Sequence, residues 1–155
     1  MNHSLKVGFC FGITSGVITT LGLLVGLAAG THSKLVVISG VLVIAIADAF
    51  SDGFGIHMSE ESENNHTAAE IWTSTGSTCV TKFLCAASFL LPLWLLDLRQ
   101  AVVASLLWGA VVLTAMSWWL AVEQGKNRWR VIGEHLAVAG AVVAASHLVG
   151  LWIGA

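Results

Sequence analysis

Apolar segments of about 20 residues, each long enough to cross a hydrocarbon core of roughly 30 Å as a helix, recur five times and take up most of the chain. They run over about 7–29, 35–56, 75–96, 101–122 and 132–154. Lipid offers backbone amides and carbonyls no hydrogen-bond partners, so a helix that satisfies its own is the expected form of each. The reading is an all-α integral membrane protein: five transmembrane helices in one domain spanning 1–155. With 56% of its 155 residues hydrophobic and 10% charged, the chain leaves little length for a separate soluble domain. The first apolar run continues through Gly22, Gly26 and Gly30 and exceeds the core of a cleaved signal peptide.

Basic residues set the expected orientation. Lys6 precedes the first span and Lys126, Arg128 and Arg130 lie between the fourth and fifth, whereas the opposite side has Lys34 and Arg99. This asymmetry places the N-terminus in the cytoplasm. Trp72, Trp94 and Trp129 fall near span ends, as an interfacial aromatic belt requires. Cys10, Cys79 and Cys85 lack C-x-x-C spacing, so buried free thiols are expected rather than a disulfide framework or zinc site.

Within the second span, Asp48 and Asp52 lie four residues apart, on one face of a helix and a turn from each other. A carboxylate at the centre of a membrane helix costs about 2.5 to 3.5 kcal/mol on insertion scales, so a pair implies a partner, a cavity or an ion. Oxygen ligands suit hard or borderline divalent ions such as Mn²⁺, Fe²⁺ or Mg²⁺, and Met58 or His57 would add a softer ligand. Asp48, Ser51, Asp52, Gly55, Met58, Ser59 and Ser62 share one broad stripe of a helix that should continue past the membrane. Glu60, Glu61, Glu63, His66 and Glu70 would gather cations at its end. The competing reading is structural: Lys82 on the third span pairs with Asp48 or Asp52, and the glutamates are a solvated helix end. One lysine cannot neutralise two carboxylates, which favours a functional pair.

Gly22, Gly26 and Gly30 repeat at intervals of four on the first span, with Gly12 and Gly16 as a second such pair. Small residues at this spacing let another helix approach closely, either within the chain or from a second subunit. Pro92 disfavours a regular helix near the end of the third span, and Asp97 to Arg99 allow only a short link between the third and fourth. His147 stands alone on the fifth span and is expected to be a hydrogen-bonded structural residue. No phosphate loop, nucleophile elbow or H-E-x-x-H motif is present, so neither enzyme nor cofactor is expected. Glu134 and His135 lack a nucleophile to work with. No nucleic-acid partner is expected.

The string from Gly12 through Gly16 to Leu27 resembles the first helix of the vacuolar iron transporter family, iron and manganese transporters of plants, fungi and many microbes. Ser51-Asp-Gly53-Phe-Gly55, with Glu60 to Glu63, is similar to its second-helix signature. Phe89-Leu-Leu-Pro92 and Gly140 to Gly150 resemble its third and fifth helices. The resemblance implies five membrane helices per subunit, a homodimer with the ion path near the subunit interface, and exchange of Fe²⁺ or Mn²⁺ for protons that moves metal out of the cytosol. Ser15 stands where the family usually has aspartate, and Asp52 where it has methionine. The glutamate-rich cytoplasmic metal-binding domain of the family is reduced to about Ser59 to Thr73, making this a short form. Replacing a thioether by a carboxylate hardens the site, which favours Mn²⁺ or Fe²⁺ and leaves Mg²⁺ or Ca²⁺ conceivable. With the second helix aligned one turn away, Asp48 rather than Asp52 is the primary ligand.

The expected function is export of a divalent metal, Fe²⁺ or Mn²⁺, in exchange for protons across a plasma membrane. Metal would contact Asp48, Asp52, Met58, Glu60, Glu61 and Glu63, with the glutamates as a funnel. Thr14, Ser15, Thr19, Thr20 and Ser51 would line the pathway. Carboxylate ligands must be deprotonated to bind metal, which couples the two ions. The alternative is a membrane interaction protein that keeps the fold and transports nothing.

Overall fold

In the computed structural model, which describes residues 3–154, six helices follow one another and no strand occurs among the described residues. They are α1 (His3–Thr31), α2 (Lys34–Glu63), α3 (Ala68–Ser88), α4 (Leu90–Leu95), α5 (Leu98–Glu123) and α6 (Arg128–Gly154). α3 and α4 together form one span, Ala68–Leu95, so five stretches are long and apolar enough to cross a membrane.

Each boundary has a local cause. Ser33 caps α2 by accepting from the Val36 amide, and Asn64 ends it in the left-handed conformation with its amide bonded to Glu61. α2 therefore continues past the apolar stretch, as expected of it. Thr67 and Glu70 form a reciprocal capping box, which starts α3 at Ala68, seven residues before the expected start of the third span. The break between α3 and α4 lies at Phe89, just after the residue whose carbonyl the Pro92 ring would meet in a continuous helix. α5 ends in a Schellman turn: Gly125 has φ of 63°, and Lys126 donates to the Ala121 carbonyl at 2.9 Å.

α1 is the central helix and packs against α2, α3, α5 and α6. Its glycines divide between two neighbours. At Gly12 a Cβ would lie 3.0 Å from the Thr78 carbonyl oxygen on α3; at Gly26 it would lie 3.1 Å from the Ser146 carbonyl oxygen on α6. Both glycine series thus find partners inside the chain, in the small-residue manner of membrane helices. The apolar core, including Val17, Leu24, Val37, Val41, Phe89, Leu93 and Leu113, fills the half of the bundle containing the α4–α5 link. Most of the buried polar side chains, Ser4, Glu60, Ser74, Thr75, Thr78, Lys82 and Ser117, lie in the other half, while Thr20 and Ser105 are buried beside the apolar core.

α6 is far less covered, with Ile132, Ala139 and Gly150 its buried residues. His147 is exposed on it and has no hydrogen bond among the described residues, which corrects the expectation of a bonded structural histidine. Trp72, Trp94 and Trp129 are exposed near helix ends. The three cysteines are free and partly buried.

Candidate functional site

The inward face of α2 is a row of small residues, Ala45, Ala49 and Gly53, continuing from Val37 and Val41 and ending at Glu60. Their lack of bulk brings α2 close to α3: a Cβ on Gly53 would sit 3.3 Å from the Thr75 carbonyl oxygen. Asp48 and Asp52 flank this row and point at α3, where Lys82 is 1% exposed. The Lys82 Nζ lies 2.6 Å from Asp48 Oδ2 and also pairs with Asp52 Oδ2. It donates to Ser15 Oγ at 2.8 Å, and Ser15 Oγ in turn donates to Asp52 Oδ2 at 2.6 Å. Three helices thus meet in one polar cluster of two carboxylates, one ammonium and one hydroxyl.

The lysine reaches the cluster because α1 makes room for it. A Cβ on Gly16 would come 3.4 Å from Lys82 Cγ and 3.2 Å from Cys85 Cβ, so glycine at this position clears the path of the lysine stem. Asp48 Oδ2 meets the ammonium as an ion contact and accepts no aligned hydrogen bond among the described residues. The two aspartate side chains keep about a quarter of their surface, 24% and 23%, open. Asp48 and Ser51 line a groove of about 370 Å³ with Leu23, Gly40, Val43, Ile44 and Ala47. Asp48 therefore communicates with the outer face of the bundle between α1 and α2, while the lysine is sealed behind it.

The other expected site residues separate into groups. Ser15 joins the cluster directly. Thr14 and Thr19 are half-buried, with the Thr19 hydroxyl donating to the Ser15 carbonyl at 2.9 Å. Thr20 is fully buried without a hydrogen-bond partner among the described residues. Met58 is 54% exposed, away from the acid pair. The stripe of Ser51, Gly55, Met58, Ser59 and Ser62 faces outward, and Glu60 occupies the inward face instead. Glu60 is buried and accepts a hydrogen bond from the Ser74 hydroxyl, whereas Glu61 and Glu63 are exposed and Glu63 lies 3.5 Å from His66. The expected glutamate funnel is thus one inward and two outward carboxylates. His57, named with Met58 as a softer ligand, instead contacts Thr75 Oγ1 at 3.1 Å and packs against Phe54 and Trp72.

Among the described residues no three His, Cys, Asp or Glu side chains converge on one point. The cluster offers a cation two carboxylates, the Ser15 hydroxyl and access from the groove. Buried hydroxyls of Ser74, Thr75 and Thr78 on α3, which sequence reasoning passed over, bond mainly to carbonyls of their own helix. The bond between Ser117 Oγ and His135 Nδ1, 2.7 Å apart, joins α5 to α6 and was equally unforeseen.

Residues 8–75 match the model of the VIT family. The match covers less than half of the chain, and it contains Ser15, Asp48 and Asp52 but not Lys82. No curated protein and no solved structure matches the chain. The similarity to the VIT family therefore bears on α1, α2 and the first turns of α3, which supply the acid pair and the serine of the cluster.

Proposed function

We propose that this chain is a membrane transporter of divalent metal ions in the manner of the VIT family, with Asp48 and Asp52 as the ligands that meet the ion within the membrane. The observation that carries the reading is the acid pair itself: two partly exposed carboxylates one helical turn apart, in a span, Asp48 lining a groove, inside the segment that matches the family model. Paired carboxylates are expensive at that depth and are kept where they handle ions or protons. The two departures from the family pattern also support it. Ser15, where an aspartate is usual, is hydrogen-bonded to Asp52, where a methionine is usual. The carboxylate that the resemblance places on α1 is here supplied by α2, across the Ser15–Asp52 contact.

Fe²⁺ and Mn²⁺ fit an oxygen-rich site. Protons enter by competition, since the carboxylates carry either metal or protons. A homodimer would let a second copy supplement the two carboxylates, and the exposed faces of α2 and α6 leave it room to dock. The N-terminus lies in the cytoplasm of this proposed plasma-membrane exporter, on the side favoured by Lys6, Lys126, Arg128 and Arg130.

Purified protein in liposomes should couple Mn²⁺ or Fe²⁺ movement to proton flux, and the Asp48→Asn/Asp52→Asn double variant, still folded, should lose it. Equal flux in the double variant would remove the acid pair from the mechanism. A second reading rests on Lys82, whose ammonium contacts both carboxylates: a structural ion cluster in a membrane interaction protein. It predicts no metal-dependent flux in either protein.

A further inference from the structure

We propose that Lys82 is a tethered competitor for the metal site, an ammonium that occupies the acid pair until a divalent ion displaces it, and so determines which cations are admitted. The inference rests on the transporter reading above and assigns this reading a residue outside the segment that matches the family model.

The geometry of the cluster carries it. The ammonium lies between Asp48 Oδ2 and Asp52 Oδ2, the place where a bridging cation would share both carboxylates. Its access is built into α1: Gly16 leaves space for the stem, and Ser15 Oγ accepts from the ammonium at 2.8 Å while donating to Asp52. Lys82 is sealed at 1% exposure, whereas both aspartates are partly open and Asp48 lines the groove. An ion arriving by the groove therefore meets the Asp48 carboxylate, already held by an ammonium behind it that also pairs with Asp52.

A tethered group competes at an effective concentration set by its tether, of order millimolar or above for short links. A free monovalent ion carries no more charge than the ammonium, and it lacks this tethering advantage. A divalent ion gains about twice the Coulombic attraction at the same distance and prevails. Even a metal that reached the outer carboxylate oxygens with Lys82 still in place would bind against its positive charge. In both cases Lys82 weakens metal binding in return for discrimination against monovalent cations.

Mn²⁺ binding to the detergent-purified full chain, measured calorimetrically, tests this. Lys82→Gln should bind Mn²⁺ at least about tenfold more tightly than the unaltered chain, and its binding should become sensitive to added Na⁺ or K⁺. Lys82→Arg keeps the charge in a fork that grips carboxylates in pairs. It should weaken Mn²⁺ binding several-fold, and it decides the question should Lys82→Gln fail to fold. Unchanged affinity in both variants, or in Lys82→Arg alone if the other is unfolded, would overturn the competitor role while leaving the transporter reading intact. Absence of Mn²⁺ binding in the unaltered chain and in both variants would overturn the two together.

Discussion

The two ends of α1 solve one packing problem with opposite chemistry. Toward its N-terminus, Gly12 and Gly16 let α3 approach, and the space gained admits a lysine that meets two aspartates and a serine. Toward its C-terminus, Gly22, Gly26 and Gly30 let α6 approach, and the surfaces that meet are Val142, Ser146 and Gly150, with no charge between them. The same four-residue glycine spacing thus serves once to bury an ionic cluster and once to bring two backbones together. A glycine seam shows that something comes close; what comes close decides whether the contact is chemistry or scaffolding.

The largest way to break this comparison is to remove the one positive charge from the α1–α3 seam. Lys82→Gln leaves Asp48 and Asp52 facing each other without a cation, and stranding buried charges in this way costs about 3 to 5 kcal/mol. The partial exposure of the aspartates puts the expected loss at the lower end of that range. Adding Asp48→Asn and Asp52→Asn to make a triple variant removes the stranded charges and should restore most of the stability. Denaturant unfolding in mixed micelles measures both. A triple variant no more stable than Lys82→Gln would mean that lysine packing, rather than charge, holds the seam.

The corresponding change in the α1–α6 seam acts through volume. A Cβ on Gly150 would run into the Gly26 carbonyl and come 3.0 Å from the Ala29 Cβ. Backbone cannot rotate aside as a long side chain can, so Gly150→Leu should cost about 1 to 3 kcal/mol. Its effect should be on unfolding alone, with Mn²⁺ affinity of the surviving folded protein unchanged. A shift in affinity would show that the two seams are coupled through α1.

The helices were legible in the sequence because lipid imposes a single demand, an apolar run of sufficient length, that local composition meets or fails. The two glycine series were legible for the same reason, although their partners were not: the α1–α3 and α1–α6 contacts join positions distant in the chain. The lysine was visible as a candidate partner of one aspartate. That it touches both depends on the register of α2 against α3, set by Ala45, Ala49 and Gly53 acting as a smooth row. The same register turns Glu60 inward and Met58 outward, against the stripe drawn from Asp48 and Asp52. A helical stripe of about 100° leaves the inward edge undetermined until the neighbours are known. One signal was in plain view: Thr67 and Glu70 have the spacing of a capping box, which marks the early start of α3.

The smallest expected effect lies outside both seams and sharpens the comparison as a reference. Ser117 is buried on α5, and its Oγ is 2.7 Å from His135 Nδ1 on α6. Ser117→Ala removes a neutral hydrogen bond, worth about 0.5 to 1.5 kcal/mol. His135 is only half-buried, so its ring nitrogen can take water instead, which keeps the loss toward the lower figure. The α1 seams are untouched, and Mn²⁺ affinity and metal-coupled proton flux should match those of the unaltered chain. If the flux fell while the fold held, His135 would have a part in proton movement, and the polar chemistry of the chain would extend beyond the cluster that α1 shares with α2 and α3.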